Sequence, residues 1–143
     1  MSKKVALVGH CGPDSSYLRM AVMSAEKGIA VVAADDTDEL NAVLSHGGVD
    51  LVLLNRELGW GFEQPLGVEV IAQLKREHPH IKTMLVSNYA DAQAAAVAAG
   101  AEPGFGKREI GTPKVTQLIR AALGTGAGHA NAAANPSAAA PAK

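Results

Sequence analysis

Four short apolar runs recur along the chain, at residues 5–8, 29–33, 49–54 and 83–87, with a weaker fifth at 104–106. The first four are near-continuous in apolar character and do not alternate. Strands that read this way are covered on both faces, as in a parallel sheet. Parallel neighbours need long crossovers, and the segments between the runs carry helical spacing and helical punctuation. The pattern predicts an α/β chain: a five-stranded parallel sheet with helices on both faces, strand and helix alternating five times.

The first helix is expected to begin at Asp14 as N-cap, with Leu18, Ala21, Val22 and Ala25 on one face and Gly28 as its C-cap. In the second, Asp36 and Glu39 have capping-box spacing, Leu40, Val43 and Leu44 follow on one stripe, and Gly47-Gly48 ends it. The third spans residues 67–77, with Val70, Ile71 and Leu74 inward and Pro79 as the stop. The fourth is alanine-rich, over 90–99. The fifth has Thr112 as N-cap and Pro113 at its first position, with Val115, Leu118, Ile119 and Ala122 inward. Of 27 alanines, nine lie in residues 124–143, which hold no Val, Ile, Leu, Met or aromatic residue. Such a stretch cannot bury enough area to offset its ordering entropy, so 1–123 is expected to fold and 124–143 to form a flexible tail.

A formal net charge of −1 offers no basis for a nucleic-acid or membrane-surface partner. One cysteine, Cys11, excludes an internal disulfide and a Cys-rich zinc site. The first apolar run is too short for a secretory leader, and no run approaches a membrane span, so the expected compartment is the cytoplasm.

In a parallel sheet of this kind, chemistry belongs outside the carboxyl ends of the strands. Those ends carry Val49-Asp50-Leu51-Val52-Leu53-Leu54 followed by Asn55, then Ser87, then Gly100-Ala101 after the fourth helix, then Lys107. In this order the pieces resemble the receiver domain of two-component response regulators, over residues 4 to 123. The resemblance implies a flavodoxin-like (βα)5 three-layer sandwich. It also implies a site: an acidic pair after the first strand for magnesium, a phospho-accepting aspartate ending the third, a hydroxyl ending the fourth and a lysine ending the fifth.

Ser87 and Lys107 match that pattern. The acceptor position is Asn55, and the acidic-pair positions are Gly9 and His10, with Cys11 and Gly12 beyond. Arg108 replaces a usual proline, and Gly104 a usual aromatic. An amide is a poor nucleophile, and magnesium wants anionic oxygen. The expectation is therefore a degenerate receiver-like signalling domain, not phosphorylated, not an enzyme, with no catalytic residue, metal or cofactor. The Asn55 amide is expected to bond Lys107 in place of a phosphate. Asp14 and Asp35-Asp36 are the other carboxylates near this edge, and capping accounts for Asp14 and Asp36. Glu57 is read as solvated.

The loop after Asn55 holds Trp60 and Phe62, and Tyr89 adds a third aromatic at the edge. Trp60 and Phe62 are expected to plug the vacated acidic pocket, with a docking surface as the alternative, while Tyr17 and Phe105 are core candidates. His46, His78 and His80 fall at helix ends on the amino edge, as surface groups. Gly9-His10-Cys11-Gly12 lacks both phosphate-loop patterns, and Cys11 has no visible catalytic partner beyond His10. With no output domain among these residues, any effect is expected to pass through a partner protein (kinase, output protein or scaffold), through a homodimer, or through a domain beyond these residues. The resemblance places that contact on the fourth helix, fifth strand and fifth helix, with Gln93, Glu102, Lys114 and Arg120 at its rim. Two alternatives are a small-molecule-binding flavodoxin-like module and an active receiver using an unusual acceptor such as Glu57.

Overall fold

A computed structural model describes residues 3–124. The expected tail lies outside the described residues, apart from Gly124. The elements are β1 (Lys4–Val8), α1 (Gly12–Ala25), β2 (Ala30–Ala34), α2 (Thr37–His46), β3 (Leu51–Asn55), α3 (Gly67–Glu77), β4 (Lys82–Val86), α4 (Ala90–Ala98), β5 (Glu102–Phe105) and α5 (Pro113–Leu123). All five strands are parallel in one sheet, ordered β2-β1-β3-β4-β5.

The near-continuous apolar strands arise because both faces of the sheet are covered. Val5, Leu7, Leu51 and Leu53 point to one side, with Leu18 and Val22 of α1 and Val115 and Ile119 of α5. Ala6, Val8, Val52 and Leu54 point to the other, with Leu40 of α2, Ile71 and Leu74 of α3 and Ala96 of α4. Successive strand residues thus feed two separate cores, which is the three-layer arrangement.

Helix boundaries follow the punctuation, with two corrections at the ends of α1 and one to the burial of its side chains. Cys11, not Asp14, is the N-cap of α1, and Asp14 is the third residue of the helix. Gly28 lies beyond the C-cap, which is Glu26. Tyr17 is 60% exposed rather than core, because it precedes the inward Leu18 by one residue and so stands about 100° around the helix. The start of α2 is as the spacing predicts: Asp36 Oδ1 accepts from Glu39 N at 2.7 Å, and the Glu39 carboxylate accepts from Asp35 N at 2.7 Å. Gly47 follows α2 at φ 78°, a left-handed conformation that suits glycine. The hydroxyl of Thr112 makes no capping bond, although Pro113 opens α5 as expected.

Two features matter below. The pairing of β4 with β5 is irregular, joining Met84 to Glu102 and then Val86 to Phe105, so Pro103-Gly104 is passed over. On the opposite side of the sheet, Arg19 of α1 donates to the Val31 carbonyl of β2 at 3.1 Å. Among the described residues, no helix is long and apolar enough to cross a membrane.

Candidate functional site

The turn after β1 is tight. Gly9 has φ 75°, and a Cβ there would come within 2.6 Å of Leu58 Cδ2. Leu58, from the loop after β3, is buried and lies against this turn. It is the residue that covers the position opposite Asn55; neither predicted aromatic does so. Phe62 turns instead into the core that contains Leu40, Val70 and Leu74. Trp60 is fully exposed. In the sequence, Leu58 is overshadowed by the two larger apolar residues of the same loop, Trp60 and Phe62.

His10 is buried, and its Nε2 lies 2.9 Å from the Leu53 carbonyl oxygen. A carbonyl only accepts, so Nε2 carries the proton and Nδ1 presents its lone pair. Among the described residues, Nδ1 has no hydrogen-bond partner. Burial lowers the His10 pKa from the usual 6.5, and the nearby Lys107 charge adds to this, against the opposing bond to Leu53 and the carboxylates of Asp14 and Asp35. The neutral ring is therefore the folded-state form, whereas an unfolded chain takes up the proton at about pH 6.5. That stability is present above pH 6.5 and is lost as the pH falls from there through the folded-state value. Chemical denaturation from pH 8 to 5 should show this decline, and His10→Gln should flatten it. The carboxylates of Asp14 and Glu109, whose pKa values are also lowered, give up their share only at more acid pH.

Asn55 closes β3. Its side-chain amide donates to the Gly9 carbonyl at 3.2 Å and to the Glu57 carbonyl at 3.0 Å, so it ties the β1 turn to its own loop. The expected bond to Lys107 is absent because both partners are engaged elsewhere. Lys107 Nζ lies 2.8 Å from Asp14 Oδ2, with the two side chains 38% and 26% exposed. The Lys107 bond holds the Asp14 carboxyl below its usual range. Such a half-exposed pair adds little to stability, but it fixes where the lysine points. Sequence reasoning missed it because α1 starts earlier than expected, which frees Asp14 from capping.

Ser87 is buried just past β4, and its Oγ accepts from Tyr89 N at 3.1 Å. Asn55, Ser87 and Lys107 line one cleft of about 160 Å³ with Arg56, Glu57, Val86, Asn88 and Tyr89. The Arg56 guanidinium stands 4.7 Å from the centre of the Tyr89 ring, which accounts for the position of that exposed aromatic. The cleft is smaller than the roughly 300 Å³ at which small-molecule sites begin. Among the described residues, no three His, Cys, Asp or Glu side chains gather to hold a metal.

Gln93 is not a rim residue of the α4–β5–α5 face. Its Nε2 donates inward to the carbonyls of Leu85 (2.9 Å), Ser87 (3.0 Å) and Phe105 (3.2 Å), joining α4 to β4 and β5. The glycine at 104 makes room for it. Of the other three expected rim residues, Lys114 pairs with Glu109 at 2.7 Å, Glu102 lies 3.8 Å from Lys82, and Arg120 donates to the Ala25 carbonyl at 2.7 Å.

Sheet order, crossovers and the cleft at the carboxyl edge define the flavodoxin-like receiver fold. No family profile matches the chain, and no curated protein sequence does. Solved structures similar to it are receiver domains. The receiver domain of a DNA-binding response regulator from Colwellia psychrerythraea 34H is 15% identical, with TM-score 0.67, over 83% of this chain and 96% of that one. The receiver domain of an HD domain-containing protein from Pseudomonas fluorescens Pf-5 is 20% identical, with TM-score 0.69, over 85% and 86%. The beryllofluoride-activated NtrC4 receiver domain, a dimer, is 17% identical, with TM-score 0.66, over 86% and 97%. At these identities the likeness is one of fold.

Proposed function

We propose that the chain is a receiver-like signalling domain that is not phosphorylated and that acts by binding another protein. The observation that carries this reading is the internal closure of the edge. Asn55 spends its amide on two backbone carbonyls, and Lys107 spends its ammonium on Asp14. In a phosphorylatable receiver, a carboxylate at the Asn55 position would attack a phosphoryl group, and the lysine would then bind it. Here the amide is a poor nucleophile, and the lysine already holds a carboxylate of its own chain.

Magnesium does not fit the residues present. Gly9 offers no side chain, the His10 Nε2 is committed to Leu53, and the Asp14 carboxylate neutralises Lys107. A metal needing hard anionic oxygens would have to break that ion pair first. With neither acceptor nor metal, the edge holds one arrangement where a phosphorylated domain distributes between two. Any partner then reads a constant surface, and regulation falls to the abundance or state of that partner.

Titration of the labelled protein with beryllofluoride and magnesium, followed by amide NMR, tests the reading. The expected result is no saturable shift at Asn55, Ser87 or Lys107. Saturable shifts at these three, lost in Asn55→Ala, would establish a working phosphoryl site and overturn it.

A further inference from the structure

Trp60 is the only tryptophan of the chain and is 105% exposed. Its loop is nevertheless firmly held. Leu58 and Phe62 are buried on either side of it. Leu58 N donates to Pro65 O at 2.9 Å, and Glu57 bridges Leu66 in antiparallel fashion. Thr37 N donates to Gly61 O at 2.9 Å, and Thr37 Oγ1 accepts from Glu63 N at 2.8 Å. The indole is thus presented to solvent from a rigid support. A large apolar group held out in this way costs little ordering entropy when it binds, and tryptophan is a favoured interface anchor.

The charge around it is mainly acidic, with Arg56 paired to Glu57 at 3.5 Å. Residues 35–69 contain eight Asp and Glu against a single Arg. Asp35, Asp38 and Glu63 are exposed and not ion-paired among the described residues. The complementary occupant is therefore an apolar surface edged by cations.

The same chain carries one. On α1, Tyr17 is 60% exposed, Met20 65% and Met23 55%, at a spacing of three residues that keeps them on one side of the helix. Arg19, which also donates to the Val31 carbonyl, and Lys27 are exposed beside this stripe; the half-buried C-cap Glu26 is the one acid at its end, and Asp14 of α1 is paired with Lys107. Unbranched, polarizable methionine side chains adapt to an aromatic ring and make favourable sulfur–ring contacts.

We propose that Trp60 of one copy docks on the Tyr17–Met20–Met23 stripe of a second copy, with the acidic edge of its loop facing Arg19 and Lys27. The two patches are different surfaces. Phe62 roots the loop in the core covered by α2, α3 and α4, whereas α1 covers the other face of the sheet with α5. The contact is therefore head-to-tail, which builds rings or open chains rather than a two-fold dimer. This inference uses no part of the signalling reading above and stands or falls separately.

Trp60, as the sole indole, reports on its own burial. Sedimentation velocity and tryptophan emission of the full chain, from about 10 μM to about 1 mM, cover the range in which an interface this small dissociates. Mass should rise with concentration, emission should move to the blue in step, and added salt should reverse both. Trp60→Ala and Met20→Glu should each weaken association at least tenfold without changing the melting temperature, since both positions are exposed. Mixing the two variants should restore a one-to-one dimer, because one keeps the stripe and the other keeps the indole. A monomer with unshifted emission at every concentration overturns the proposal, as does association that survives both variants. A mixture that stays monomeric also overturns it.

Discussion

Phe62→Ala should cost about 3 kcal/mol of folding stability, or about 10 °C in melting temperature, while Trp60→Ala, two residues away, leaves the denaturation midpoint where it was. Phe62 is 8% exposed and joins the core formed by Leu40, Val70 and Leu74. Truncating it removes a ring from a site that the flanking backbone cannot collapse to fill, because hydrogen bonds to Thr37 hold the loop in place. Trp60 touches no such core. Urea denaturation of the two variants at low protein concentration separates them. Equal losses would mean that the loop is seated differently and that both aromatics share one site.

The second large effect is expected at Gly104. A Cβ there would fall on the Leu85 carbonyl oxygen of β4 and within 2.7 Å of Gln93 Oε1. Gly104→Ala must therefore push β5 away from β4, at a cost of about 3 kcal/mol. Gln93→Ala by itself should cost about 1–2 kcal/mol, since it withdraws one amide from three carbonyls. The informative variant is the double. If Gln93 were the obstacle, truncating it would rescue Gly104→Ala. Since the obstacle is backbone, no rescue is expected, and amide exchange in β5 should be faster in the double variant than in either single one. Recovery of stability in the double would show that the strand approach at residue 104 is set by the glutamine.

These two cases mark where the sequence is informative. The apolar runs announced the strands because the three inner ones, β1, β3 and β4, bury both faces, and Asp36, Pro79 and Pro113 marked helix limits through local chemistry that needs no tertiary context. The fold was legible for that reason. The site was legible only as an ordered set of positions: Asn55, Ser87 and Lys107 do line one cleft. Their partners were not legible. Lys107 meets Asp14 across the sheet edge, and nothing in either local sequence signals it. Gln93 looked like a surface residue because polar helical positions usually are. Trp60 and Phe62 have similar chemistry and nearly the same place in the chain. Only the path of the loop decides that one enters the core and the other faces water.

The strand order has a kinetic consequence. Of the five strands β1 comes first in the chain, yet it ends up in the interior of the sheet, between β2 and β3. Its neighbour β2 follows within one crossover, but a two-stranded unit is marginal by itself. The partner on its other edge is β3, where Asp50 N donates to Lys4 O at 2.9 Å and Lys4 N donates to the Asp50 carboxylate at 2.9 Å. Closing that loop spends chain entropy before any of the inner sheet is rewarded. An emerging chain therefore waits, with one edge of β1 unpaired, until residues 51–55 arrive. An unpaired strand edge is aggregation-prone, and the length of this interval is set by topology rather than by any one side chain.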